Sequence, residues 1–251
     1  MTGRKKDQEP AQAIRKELVS CAAKAKAKIL QRFFKTAPGE YAEGDKFIGV
    51  KVPDTRKIAR EHLDLKNKDL LILLRSAVHE ERLLALLIFI SRFEKAGEKE
   101  KTGIYRLYLR NTRFVNNWDL VDLSAPQIVG AYLADKDKKP LYVLARSKSL
   151  WERRIAMVAT FNFIKEGNFK ETLSLAEMLL ADNHDLIHKA VGWMLREVGK
   201  RGGQEKLEQF LNYYTPQMPR TTLRYAIERF SRKKKSHYLA IPRVRVTNTT
   251  A

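Results

Sequence analysis

A repeating pattern of helical blocks is the strongest constraint on what this chain can fold into. From residue 67 onward, segments with apolar positions at helical spacing alternate with short polar breaks. They fall at about 67 to 76, 79 to 95, 99 to 110, 117 to 134, 139 to 147, 150 to 166, 169 to 181, 184 to 200, 203 to 214 and 219 to 231. The second block of each pair carries a related pattern around a small residue: Glu-Arg-Leu-Leu-Ala85, Glu-Arg-Arg-Ile-Ala156, His-Lys-Ala190 and Leu-Arg-Tyr-Ala226. With Asp122 taken as the equivalent of these alanines, the steps are 37, 34, 34 and 36 residues. Even spacing of paired helices, with no competing strand-like alternation, predicts an all-α fold, an α-solenoid.

The type expected is HEAT-like, a superhelical array of antiparallel helix pairs. Small residues let neighbouring helices approach closely, so a carboxylate in that slot breaks the structural rule and is costly unless something satisfies it. Such positions are where function is expected. The N-terminal part reads less regularly. A long amphipathic helix is predicted from about Ala11 to Phe34, with Cys21 as buried filler, and Pro38-Gly39 ends it. A loop from Gly39 to Pro53 follows, carrying three of the twelve glycines and an exposed-looking aromatic, Tyr41. Loops of this kind are natural places for binding, although glycines equally serve turns. A further helix runs from Pro53 to about His62. The resulting division is a flexible N-terminus over 1–10, a single domain over 11–231, and a basic C-terminal tail over 232–251.

Charge points to the partner. The chain has 49 Lys plus Arg against 29 Asp plus Glu, a formal net charge of +20. An excess of this size speaks to partners and solubility, and polyanions such as nucleic acid, or an anionic surface, are the natural ones. One cysteine permits no intramolecular disulfide and fits a reducing compartment. The longest apolar run, Leu83 to Ile90, is too short to span a bilayer. The expectation is a cytoplasmic protein without membrane contact.

The stretch Asn116-Asn-Trp-Asp-Leu-Val-Asp122 places Trp118 and Asp122 at i and i+4, hence on one face of a helix. An aromatic plate beside an anion suits a flat cation. On its own the pattern suits equally a core tryptophan with a surface acid. Asp119 points roughly 100° away and reads as a cap or solvent-facing residue, with Asn116 as the N-cap candidate. If second helices line one surface, they bring together Arg82, Trp118, Asp122, Arg153, Arg154, His188, Lys189, Trp193, Arg196, Arg220, Arg224 and Arg229, a basic surface with two tryptophans and one acid. His184 and His188 stand at metal-pair spacing but lack a third ligand nearby, so neither metal nor cofactor is expected. The run Arg232-Lys-Lys-Lys-Ser-His237 suits phosphate binding or solubility alike. No nucleophile-elbow, phosphate-loop or dinucleotide motif occurs, which disfavours triad hydrolysis, nucleotide binding and redox chemistry.

Three spaced motifs, Asn-Asn-Trp118-Asp-Leu-Val-Asp122, Leu-Trp151-Glu-Arg-Arg154-Ile-Ala and His188-Lys-Ala-Val-Gly-Trp193-Met-Leu-Arg196-Glu, together resemble the AlkD family of DNA alkylation repair glycosylases. The resemblance runs from about Ala11 to Phe230. It implies a HEAT-like solenoid that holds duplex DNA and hydrolyses the N-glycosidic bond of cationic alkylpurines such as 3-methyladenine and 7-methylguanine, without flipping the base. By that resemblance Asp122 is the catalytic carboxylate, Arg154 the arginine near the lesion backbone, and Trp118 and Trp193 the aromatic walls. Tyr41 stands where a third aromatic would be, in a loop of different length. Arg153, Lys189 and Arg196 are the accompanying DNA-binding candidates. No lysine is singled out as a Schiff-base nucleophile, with Lys189 near Trp193 as the alternative, so a monofunctional enzyme acting as a monomer without cofactor is expected. The alternatives are a non-catalytic relative that binds distorted DNA through the same basic face, and a scaffold for an acidic protein segment.

Overall fold

The computed structural model describes residues 9–244. The chain divides into two compact units, Met1–Leu120 and Val121–Ala251. Among the described residues it is all-helical, with an isolated parallel bridge between Lys46 and Val78.

The first unit contains α1 (Glu9–Ser20), α2 (Lys24–Phe33), α3 (Val52–Glu61), α4 (Asn67–Leu74), α5 (His79–Lys95) and α6 (Glu98–Arg110), then a 3₁₀ turn over Thr112–Phe114 and the start of α7 (Trp118–Ser124). Its centre is α5, which is buried almost all round, with α3 and α4 packed against it. Leu84, Ala85, Leu86 and Ile88 are fully out of solvent there. This follows from a segment too apolar to have a solvent face. Three charged residues nevertheless open it, and each has a partner. Glu80 accepts from the backbone N–H groups of Ile48 and Gly49 at 2.7 to 3.2 Å, Glu81 binds Arg15 at 2.9 Å, and Arg82 binds Asp45 at 2.5 Å. Acids in a first helical turn also suit the helix dipole.

The Glu80 and Arg82 contacts fasten the 39–51 loop to α5, and the Glu81 pair ties α1 to it. Gly49 has φ of +87°, and a Cβ there would lie 2.2 Å from the Ala23 carbonyl oxygen, so this glycine serves a close approach to the start of α2. Two expectations fail in this region. The long helix over 11–34 is broken at residues 21–23, where the Ala23 N–H turns outward to bond the Ile48 carbonyl at 3.1 Å. Cys21 therefore sits in an exposed turn and fills no core.

The second unit continues α7 through a π-helical turn at Ala125–Gly130 into α8 (Ala131–Leu133). Pro126 supplies the local cause, since it has no N–H to give the carbonyl four residues back, that of Asp122. Then come α9 (Lys139–Ala145), α10 (Leu150–Ala159), α11 (Phe161–Lys165), α12 (Lys170–Leu179), α13 (Asp185–Lys200), α14 (Gln204–Tyr214), α15 (Arg220–Ala226) and α16 (Arg232–Ala240). Here the helix pairing is plain: α9 packs on α10 and α12 on α13, while the second members α10, α13 and α15 pack successively on one another. This is the stacking of the α-solenoid class. Ala156, Ala190 and Ala226, like Ala85 in the first unit, are no more than 1% exposed, as close helix approach requires. At Gly192 a Cβ would meet the Thr222 carbonyl at 2.5 Å, so α13 and α15 touch through backbone.

The predicted C-terminal tail is corrected over its first part. Residues 232–240 form α16, capped by the Ser231 hydroxyl and fixed by Tyr238, whose hydroxyl donates to Asn212 at 3.0 Å. Tyr238 is buried, which is the reason a strongly basic segment is held in place. Of the proposed flexible N-terminus, Glu9 and Pro10 belong to α1; residues 1–8 lie outside the described residues, as do 245–251 at the other end.

Candidate functional site around α7

Helix α7 carries two carboxylates with different surroundings. In the second unit, Asp122 meets Arg154 of α10 in a two-pronged pair, Nε to Oδ1 at 2.9 Å and Nη2 to Oδ2 at 2.8 Å. The remaining Arg154 nitrogen, Nη1, donates to the Leu186 carbonyl at 2.5 Å, so the guanidinium has a fixed plane. The Arg154 side chain is 6% exposed and that of Asp122 is 19% exposed. The carboxylate is thus gripped by the guanidinium and partly exposed to solvent.

Why the chain builds this is partly local. Ser149 caps α10 by accepting from the Glu152 N–H, which starts the helix so that Arg154 lies one turn in. His184 does the same for α13, its Nδ1 accepting from Leu186 N–H at 3.1 Å, and burial holds its pKa below the ordinary value. His188 spends Nε2 on the Asp182 carbonyl at 2.5 Å. Both histidines are therefore part of the helix start that presents the Leu186 carbonyl to Arg154.

The other candidate residues of this unit are placed as follows. Trp193 is half-buried beside Phe161, with ring centroids 6.0 Å apart. Lys189 is half-exposed and pairs with Asp185 at 2.8 Å. Arg153 is tied to Asp182 at 2.5 Å and to the carbonyls of Ser147 and Lys148. Arg196 pairs with Glu228 and, at 3.4 Å, with Glu197. Arg153 and Arg196 therefore carry existing ion pairs that a phosphate contact would have to exchange.

In the first unit, Trp118 is half-buried, its backbone N–H capped by the Asn117 side chain at 2.8 Å. The cap is thus Asn117, one residue beyond the expected Asn116. The indole stacks on Phe34 at 5.2 Å and 18°, and Phe33 meets it edge-on at 6.0 Å. Phe33 is 62% exposed, so an aromatic surface continues from Trp118 into solvent. Sequence reasoning passed over Phe33 and Phe34; the signal was a pair of aromatics at a helix end just before Pro38-Gly39. Tyr41 is half-buried in the fastened loop.

Two further readings are corrected. Asp119, read as a cap or solvent-facing residue, is 22% exposed but tied down: its Oδ2 lies 2.8 Å from His79 Nε2, and its Oδ1 is buried. Arg82 is not a surface cation but 4% exposed and paired with Asp45. Charges this deep persist only because they are matched.

Fold and site together define an all-α protein of stacked helix pairs, with an arginine-held carboxylate at the helix junction of its second unit. Residues 14–230 match the family described as DNA alkylation repair enzyme, and the chain belongs to that family. In structure it is similar to a predicted DNA alkylation repair enzyme from Enterococcus faecalis, with a TM-score of 0.64 and 14% sequence identity over 84% of this chain and 97% of that one. No curated protein matches it. No helix among the described residues is long and apolar enough to cross a membrane.

Proposed function

We propose that the chain is a monofunctional DNA glycosylase that hydrolyses the N-glycosidic bond of cationic alkylpurines, 3-methyladenine and 7-methylguanine, in duplex DNA. Membership of a DNA alkylation repair family supports the substrate class. The observation that carries the chemistry is the Asp122–Arg154 pair, an anion rigidly aimed and still open to solvent.

An N-alkylated purine already bears positive charge, so it leaves as a neutral base and needs no general acid. The barrier lies in the oxocarbenium character that develops on the deoxyribose. Asp122 stabilises that cation and orients a water for attack at C1′, as a carboxylate does in glycoside hydrolysis. Because Arg154 already holds the carboxylate plane, no reorganisation is needed as charge develops. Trp118 and Trp193 offer half-buried aromatic surfaces for cation–π and CH–π contact with the lesion nucleotide. The net charge of +20 supplies attraction to phosphates. Arg153, Lys189 and Arg196 contribute by exchanging their present carboxylate partners for phosphates; Tyr41 belongs to the same proposal as a third aromatic.

The test is release of 7-methylguanine and 3-methyladenine from methylated duplex DNA, wild type beside Asp122→Asn. Release by the wild type with a large loss in the variant supports glycosylase and carboxylate together. Full release by Asp122→Asn overturns the mechanism. No release from a wild type that folds and binds duplex favours the non-catalytic reading.

A further inference from the structure

His79, the first residue of α5, is buried at 2% exposure although nothing in the proposed chemistry uses it. Its ring lies against Phe47 and Phe34, with centroids 4.5 and 5.1 Å away. Nε2 is 2.8 Å from Asp119 Oδ2 and Nδ1 is 3.4 Å from Asp45 Oδ2. Asp45 also receives Arg82 Nη2 at 2.5 Å and the side-chain amide of Asn117 at 3.4 Å. The ring is thus connected to both sequence neighbours of Trp118: Asp119 directly, and Asn117 through Asp45. It also sits under Phe34, the ring on which Trp118 stacks.

The charged groups facing this ring are Asp45 from the 39–51 loop, Asp119 from α7 and Arg82 from α5 itself. Two carboxylates and one guanidinium leave one negative charge uncompensated. A protonated imidazole completes the balance and donates from both ring nitrogens, one toward each carboxylate, which a neutral ring with a single N–H cannot do.

We propose that His79, as the imidazolium held between Asp45 and Asp119, is a positioning residue that fixes the start of α7 and so the orientation of Trp118 toward the substrate nucleotide. The substrate part of this statement rests on the function proposed above; the positioning part does not. Burial opposes the charge, but the hydrogen bonds to Asp119 and Asp45 outweigh it and hold the His79 pKa above its usual value of 6.5. The clamp is therefore intact at low and neutral pH and is released as pH rises through that elevated value.

The experiment uses the full chain labelled with 5-fluorotryptophan, with the Trp118 resonance assigned by its absence in Trp118→Phe. In the wild type that resonance shifts on titration between about pH 5.5 and 9, with its midpoint above 6.5. His79→Gln abolishes the titration. The double variant His79→Gln/Asp119→Asn, which pairs two neutral amides, restores one sharp, pH-independent Trp118 resonance. In base release, His79→Gln raises KM for methylated duplex by about fivefold to tenfold with kcat changed by less than about threefold, as loss of one aromatic contact would. If His79→Gln does not fold, Asp119→Asn alone must lower the midpoint. A Trp118 resonance insensitive to pH in the wild type, a titration that survives His79→Gln, or a midpoint unmoved by Asp119→Asn overturns the proposal. A titrating Trp118 in a protein that releases no base upholds the positioning and overturns the glycosylase.

Discussion

Two carboxylates three residues apart on α7 meet opposite fates. Asp119 belongs to the first unit and binds a buried histidine, with its side chain 22% exposed. Asp122 belongs to the second and binds a fixed arginine, with its side chain still 19% exposed. The residue type is the same and the helix is the same; the difference lies in what each is packed against. Exposure is nearly equal, so the partner decides: an imidazole that can lose its proton ties Asp119 to the buried core, whereas a permanently charged guanidinium gripping both oxygens fixes Asp122 as an anion.

That contrast can be broken by exchange. Asp122→Asn should lower the base-release rate by about 100-fold or more, because the lost term is stabilisation of a developing cation, with stability falling only as far as leaving Arg154 a neutral partner requires. Asp119→Asn should do the reverse, with a change in rate below about tenfold and a clear fall in stability, since it strands a buried imidazolium. Rate and melting temperature measured on both variants decide it; equal losses of rate would erase the distinction.

Arg154→Lys sharpens the second half of the comparison. A lysine cannot grip both carboxylate oxygens and the Leu186 carbonyl in one plane, so base release should fall by about tenfold with little change in duplex affinity. A matching loss of affinity would show that Arg154 acts mainly on phosphate.

On the first-unit side, the stability that His79 contributes should be complete below about pH 6.5 and disappear as pH climbs through its raised pKa. Melting temperature against pH, wild type beside His79→Gln, should show this limb only in the wild type. The smallest effect is expected at α16. Neutralising Lys233 and Lys235 there should reduce the slope of log affinity for duplex against log salt by about 1 to 2, with base release at low salt unchanged. An unchanged slope would assign that helix a solvated face alone.

Much of this was legible in the chain itself. Periodicity alone marked the helices, and the spacing of Ala85, Ala156, Ala190 and Ala226 marked buried helix contacts, because small side chains at a regular interval have few other uses. Asp122 stood out as the exception in that series, and Arg154 as an arginine one repeat onward. Their meeting at 2.8 Å joins residues 32 apart, an interval close to one repeat step.

What tertiary structure alone decided was which charged groups are matched by buried partners. Arg82 and Asp119 read as surface residues because charge normally stays in water. Each is matched by a partner far off in sequence, Asp45 and His79, and nothing in the local sequence marks these partners as buried. The break at residues 21–23 has the same origin, since a carbonyl from the 39–51 loop captures the Ala23 N–H. The sequence by itself determined the regular, local and periodic features, because helix formation and close approach act at fixed spacing. Burial of charge is a balance of desolvation against partners, and only the folded chain brings the partners together.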